Sequence, residues 1–376
     1  CQQNTVPPTD GCPQGTIYVS PHDAHADFQS VQAAINSLAT CNTSAGYILI
    51  APGNYTEQLN VTQSAPLTLL GMSSRPWTGQ AYANFTALTP ANEVQIWWSA
   101  ANHDAVFADN VFTGVLTVGP TLNATLTGSG PTGFPVPEDT PFGCADFRAY
   151  NIDFRNLNEH RPFASGPVHA VGVSRANAGF YSCGVYSWQD TLYVGKLGNA
   201  YFYDTIIAGQ TDFLYGFGTA YIEQSTLSLR GCGGGITAWK GTNTTITANK
   251  YGVYIARSRV LAANQTVAGT IRGKCALGRP WNAQHRSIFM DSYLDTSIIP
   301  PGYARWSTVE PRVGEETFMA TWAAYGPGYN ETAEKGSGVT RVLDDEQVRP
   351  YRYPADVFEG DAGWIDQSVP DGRKGA

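Results

Sequence analysis

Asn199-Ala200-Tyr201-Phe202-Tyr203-Asp204-Thr205 is one copy of a segment that recurs along the middle of this chain. Similar runs stand at Phe147-Arg148-Ala149-Tyr150-Asn151-Ile152-Asp153-Phe154, at Ala178-Gly179-Phe180-Tyr181-Ser182-Cys183 and at Gly218-Thr219-Ala220-Tyr221-Ile222-Glu223. A further copy is Tyr251-Gly252-Val253-Tyr254-Ile255-Ala256-Arg257. The intervals centre on just over twenty residues, the length of a coil that cannot bury its own face and must stack on its neighbours. The reading is all-β, a single-stranded right-handed parallel β-helix with a short N-terminal cap helix and protruding loops. A β-sandwich would show strands every 8–12 residues and Asn-Gly hairpins, and this chain has neither.

Composition agrees with that reading. Among 376 residues there are 40 glycines and 23 prolines, and only 14% are charged. Good helix formers are scarce, while Val, Ile, Thr, Tyr and Phe recur in short runs. The clearest helix is 28–38, where Phe28, Val31, Ala34, Ile35 and Leu38 share one face, and it is expected to cap the open N-terminal end of the coils. Tyr47-Ile48-Leu49-Ile50 reads as a strand ending at the turn Ala51-Pro52-Gly53. Region 72–142 is less regular and carries Trp77, Trp97, Trp98 and His103; 119–142 is expected to form a long loop beside a groove. No linker divides the sequence, so one domain over 1–376 is expected.

A net charge of −8 and a pI near 5.2 leave no basic stripe for nucleic acid. No run of eighteen apolar residues is present to span a membrane. The chain starts at Cys1 with no signal peptide, as a processed secreted chain would; lipid acylation of Cys1 is the alternative. Eight Asn-x-Ser/Thr triplets, at Asn42, Asn54, Asn60, Asn84, Asn123, Asn243, Asn264 and Asn330, support a secreted, extracellular location. Seven cysteines leave at least one unpaired in a monomer, the expected state; Cys12 and Cys41 are placed to clip the N-terminal segment, and Cys183 reads as a small core residue. No Cys-x-x-Cys or His-x-His grouping offers a metal site, and no cofactor is expected.

The chemistry lies in Gln189-Asp190-Thr191-Leu192, Thr211-Asp212-Phe213-Leu214-Tyr215-Gly216 and Leu277-Gly278-Arg279-Pro280-Trp281. Asp190 and Asp212 are 22 positions apart, and His169 precedes Asp190 by 21. Residues one coil apart stack on neighbouring strands, about 4.8 Å apart. Two carboxylates that close do not ionise together easily, so their proton affinities split. If Arg279 pairs with Asp212, that carboxylate stays charged and nucleophilic while Asp190 keeps its proton. The separation of 67 positions is too long for three plain coils to allow contact, so two coils plus an insertion in 241–250 or 262–274 are expected. Taken singly, an Asp among Thr and Gly is usually a turn former; the joint spacing raises the catalytic reading.

These motifs resemble the pectin methylesterase family, the pectinesterases. Gly53-Asn54-Tyr55-Thr56-Glu57 is similar to a Gly-x-Tyr-x-Glu turn, and Gln32-Ala33-Ala34-Ile35 to the cap helix. Gly302-Tyr303-Ala304-Arg305-Trp306 resembles Gly-Trp-x-x-Trp, and Tyr325-Gly326-Pro327-Gly328 matches a Tyr-Gly-Pro-Gly. The resemblance implies a secreted, cell-wall-acting enzyme that removes methyl esters from methyl-esterified homogalacturonan, with Asp212 as nucleophile, Asp190 as general acid and base, Gln189 as oxyanion donor and Arg279 orienting Asp212. It also implies Trp281, Trp306, Tyr215 and Tyr303 as substrate-binding residues. Asp212-Phe213-Leu214-Tyr215-Gly216 is close to Asp-Phe-Ile-Phe-Gly. One departure matters. His169-Ala170-Val171-Gly172-Val173 replaces Gln-Ala-Val-Ala-Leu, which puts His169 where a second oxyanion donor is expected and predicts activity that changes between about pH 5 and 7. The competing functions are a related esterase for another ester and a non-catalytic wall-binding β-helix; a pectate lyase would need clustered Ca²⁺-binding carboxylates.

Overall fold

The computed structural model describes residues 1–3, 5–39, 45–74, 92–103, 106–128, 133–137, 139–158, 166–241, 250–358 and 362–368. Among the described residues the chain winds through three sheets, of eleven, eight and seven strands, in which every adjacent pair is parallel. One coil runs from Asn199–Tyr203 in the first sheet to Ile206–Gly209 in the second and Leu214–Gly216 in the third, and then re-enters the first at Thr219–Glu223. This is the right-handed parallel β-helix, with its handedness set by strand twist. The repeated segments are its first-sheet strands in register: Asn177 pairs with Asn199, Asn199 with Thr219, and Thr219 with Gly252.

Alternation along these strands builds the core. Phe180, Phe202, Ile222, Ile255 and Phe289 are successive register partners pointing inward, and the Phe180 and Phe202 rings stack at 4.8 Å. The opposite face carries its own ladder, Tyr201, Tyr221 and Tyr254, with centroids 6.4 and 6.2 Å apart. That face is covered by C-terminal residues including Val348, Val357, Phe358 and Trp364. Both faces are therefore buried, which is why these strands are apolar almost throughout.

The cap helix spans Val31–Ala39 and buries Val31, Ala34 and Ile35. It starts later than the apolar pattern because Glu57 fixes its N-terminus. The Glu57 carboxylate accepts from Ser30 Oγ (2.8 Å), Val31 N (2.9 Å) and Gln32 N (2.8 Å), and Phe28 instead bridges to Val19. In the same motif Tyr55 is buried and donates to the Ala51 carbonyl. The Gly-x-Tyr-x-Glu run thus serves the cap. Glu57→Ala is expected to cost about 1–2 kcal/mol by leaving these donors without the carboxylate; denaturant unfolding with an unchanged m-value checks it.

Cys12 bonds to Cys1, so the pairing expected with Cys41 does not form and the Cys1 sulfur is not available for acylation; Cys41 itself lies outside the described residues. A second disulfide joins Cys232 to Cys275, while Cys144 and Cys183 are buried thiols. Among the described residues no helix is long and apolar enough to cross a membrane. Of the two expected insertions, 262–274 holds the short helix Gln265–Ile271, and most of 241–250, like Trp77, lies outside the described residues.

Candidate active site

Asp190 and Asp212 occupy the same corner of successive coils, where the chain passes from the eight-stranded to the seven-stranded sheet. Gln189 bridges Thr211 in parallel, and Asp190 N donates to the Thr211 carbonyl while Asp212 N donates to that of Gly235. Both aspartates adopt positive φ, 59° and 47°. This left-handed conformation is one that Asp tolerates better than most residues. It turns both carboxyls toward one cavity of about 440 Å³, lined by Gln189, Asp190, Asp212, Tyr215, Trp281 and Trp306 on the coil side. Across from them stand Asn102, Phe107, Thr127 and Phe134. A neighbouring cavity of about 490 Å³ shares Thr127 and Phe134, so residues of the expected 119–142 loop do border the groove.

Arg279 reaches Asp212 from two coils further on. Its Nε lies 2.9 Å from Oδ1 and its Nη2 2.6 Å from Oδ2, a two-pronged ion pair, and Gly235 N donates to Oδ1 at 2.9 Å. The strands involved, Leu214–Gly216, Gly235–Trp239 and Ala276–Gly278, are consecutive neighbours in the seven-stranded sheet. Two features that sequence reasoning missed, a glycine and a disulfide, make the approach possible. A Cβ on Gly234 would sit 2.6 Å from Asp212 Oδ1 and 2.7 Å from Arg279 Nη2, so only glycine fits between them. The Cys232–Cys275 bond then staples the Gly234 coil to the Arg279 coil across an insertion, closing a long loop at the site itself.

The two carboxyls are unequal. Asp212 carries the ion pair. The Asp190 carboxyl has no hydrogen-bond partner among the described residues, and burial, then the Asp212 charge, pushes its proton affinity well above the ordinary carboxylate range, against the pull of Lys240 and Arg279. Lys240 was not singled out from the sequence. It is fully buried, with Nζ 3.0 Å from the Trp281 ring centroid, and burial pushes it down to about 6 despite Asp190. Asp109, also missed, ties the opposite wall together by accepting from Val111 N, Thr127 N and Gly128 N at 2.9–3.0 Å. Its only sequence signal is an Asp at the start of a short turn.

Trp306 stacks on the cations rather than standing free, its ring centroid 4.0 Å from the Arg279 guanidinium carbon and 4.1 Å from that of Arg312. Tyr303 corrects the sequence reading. It is 1% exposed, its hydroxyl donates to the Ser287 and Ala320 carbonyls, and its ring packs on Phe289 in the core. It supports the coil from inside and touches no groove. His169 corrects it as well. The side chain is fully buried and bonds through Nε2 to the Tyr215 hydroxyl, outside the cavity lining. Burial lowers it to about 4, so a change between pH 5 and 7 is not its own.

Among the described residues no group of three His, Cys, Asp or Glu could hold a metal ion. The family model described as Pectinesterase matches residues 142–358, more than half of the chain and all of the residues above except those of the opposite wall. Pectinesterase 31 of Arabidopsis thaliana is 26% identical over 354 residues, 91% of this chain and 93% of its own length. Probable pectinesterase A of Aspergillus niger is 26% identical over 298 residues, 79% of this chain and 74% of its own. The solved pectin methylesterase of Aspergillus niger superposes with a TM-score of 0.71 at 22% identity, covering 95% of this chain and 98% of that one. The carrot enzyme gives 0.68 at 19%, covering 95% and 97%. At those identities the solved structures speak to the fold.

Proposed function

The chain belongs to the pectinesterase family, and on that premise we propose that it removes methyl esters from homogalacturonan by carboxylate chemistry at Asp190 and Asp212. The observation that carries the reading is the unequal pair: Asp212 held by Arg279, beside a buried Asp190 whose proton affinity burial and the Asp212 charge raise.

An Asp212 oxygen attacks the C6 carbonyl carbon of a methyl galacturonate. The carbonyl π electrons move to oxygen, and the Gln189 amide donates to the oxyanion that forms. As the tetrahedral centre collapses, the carbon–methoxy bond breaks and Asp190 gives its proton to the methoxy oxygen, releasing methanol. Asp190, now a carboxylate, takes a proton from water as that water attacks the mixed anhydride on Asp212. Galacturonate leaves, and both carboxyls return to their starting states. Arg279 fixes the line of attack, since two hydrogen bonds hold the carboxylate plane. Trp281 offers an apolar wall for a sugar face.

The chain's negative charge favours the neutral, esterified polymer over its polyanionic product. Two disulfides fit an oxidising, extracellular compartment, the cell wall in this reading. The test is methanol release from highly methylated pectin across pH, with and without chelator. Release that survives chelation supports the reading, and a folded protein that releases none overturns it.

A further inference from the structure

The cavity of about 490 Å³ beside the catalytic one has two cations in its lining, Arg175 and Lys196. Val173 and Val194 are register partners, so these two residues follow the same end of neighbouring strands, and Arg175 N donates to the Lys196 carbonyl. Both are buried, at 6% and 7% exposure. The Arg175 guanidinium makes no hydrogen bond among the described residues. Its Nε is buried without a partner, which leaves the terminal nitrogens as the polar edge of a residue that lines the cavity. Lys196 Nζ gives one of its three hydrogens to the Phe134 carbonyl at 2.6 Å and lies 4.9 Å from the Phe217 ring centroid. Asp139 shares the lining but is exposed and forms no ion pair with either cation.

A buried cation is normally paired, and two side by side without an anion oppose folding. Burial lowers the proton affinity of both, and the Arg175 charge lowers that of Lys196 further. An anion from outside the chain completes such a pair. The walls that would receive it are already built. A Cβ on Gly119 would sit 2.8 Å from the Ser174 carbonyl oxygen, and one on Gly143 2.7 Å from Pro120 N, so both feet of the 119–142 segment close on the Arg175 coil. The cavity is also joined to the catalytic one. Thr127 and Phe134 line both, and the Phe217 ring that meets Lys196 lies 4.7 Å from Nζ of Lys240, the lysine whose charge acts on Asp190. Only the strand Leu192–Val194 separates Asp190 from the Lys196 end, a span of about 10 Å.

We propose that this cavity is a carboxylate-binding subsite, in which Arg175 and Lys196 hold the free acid of an already de-esterified galacturonate while a methyl ester of the same polymer chain occupies the catalytic cavity. The proposal rests on the esterase reading of the neighbouring site. The net charge of −8 opposes a polyanion at long range, but a pair of desolvated donors acts at contact, where salt screens it less. Partly de-esterified pectin is then a better substrate at this enzyme than its average charge implies.

The test compares kcat/KM for methanol release from half-esterified and from fully methylated pectin. Lys196→Gln and Arg175→Gln are each expected to lower the ratio of the two values about tenfold, the loss falling mainly on the half-esterified polymer. Lys196→Arg, which keeps the charge, is expected to hold the ratio within about threefold of the parent. Calorimetric titration with hexagalacturonate in the free-acid form gives a readout apart from turnover: its Kd is expected to rise about tenfold in Lys196→Gln. A ratio within about threefold of the parent in both glutamine variants overturns the proposal, and so does hexagalacturonate binding that Lys196→Gln leaves unchanged. If Arg175→Gln does not fold, Lys196→Gln decides alone. Parent activity separates the two readings: an inactive parent defeats the esterase assignment, whereas an active parent whose ratio the variants do not move defeats only the subsite.

Discussion

Asp212→Asn is expected to lower kcat for methanol release by at least about 10⁴-fold while leaving KM for methylated pectin nearly unchanged. The side chain keeps its shape and its Oδ1 still accepts from Gly235 N, which in the parent sits 2.9 Å away. What disappears is the attacking oxygen and its charge. The new amide also turns N–H groups toward the Arg279 guanidinium, where two donors now face each other. The Asp212 side chain is 9% exposed and that of Arg279 21%, so losing the pair is expected to cost about 1–3 kcal/mol on unfolding, the partial exposure of the arginine lowering the toll. The variant has a further signature at its neighbour. The Asp212 charge is the second cause, after burial, of the raised proton affinity of Asp190. Asp190 in Asp212→Asn is therefore expected to titrate lower than in the parent, yet still above an ordinary aspartate, because burial remains. Residual turnover above about one part in a hundred would show that another group attacks the ester.

The coil repeat was readable because each first-sheet strand faces the same two environments, so the same alternation of apolar residues returns at every turn. The 22-residue interval between Asp190 and Asp212 was readable for the same reason, since register pairs Leu192 with Leu214 two residues beyond them. Facing was harder to read. His169 holds the equivalent position one coil earlier, with Val171 paired to Leu192, but it is not among the residues of positive φ. Its side chain therefore leaves the backbone in another direction and goes under Tyr215 instead of into the groove. That dihedral difference is set by contacts such as Asn156 to the His169 carbonyl, and no local residue pattern announces it. Tyr303 failed for a related reason. It follows no strand whose alternation would assign a face, and its hydroxyl finds acceptors inside the helix. Arg279 was readable as two coils plus an insertion from distance alone. The means of its approach, Gly234 and the Cys232–Cys275 link, depends on atoms meeting across coils.

Asp190→Asn is expected to lower kcat by about 10²–10⁴-fold and, unusually for an active-site change, to raise the thermal midpoint at neutral pH. The activity loss follows from the role: an amide has no proton for the departing methoxy oxygen and takes none from water. The stability gain follows from the shift. Burial first and Asp212 second raise the folded-state proton affinity of Asp190 well above its unfolded value of about 3.9. A raised folded value means that the folded chain binds this proton more tightly than the unfolded one. The stability it contributes is fully present below about pH 4 and is lost progressively as pH climbs from there through the folded value. Asparagine never ionises, so it escapes that loss. The difference in midpoint between variant and parent should be near zero at about pH 3 and should widen as pH rises. The same titration limits the parent's activity from the alkaline side, because the first step needs Asp190 protonated. The midpoint difference and the fall in parent kcat should therefore share one pH window. Thermal unfolding of both proteins from pH 3 to 8, set beside the parent's kcat profile, checks this: a midpoint difference that stays flat across the range would mean that Asp190 is not the group holding the proton.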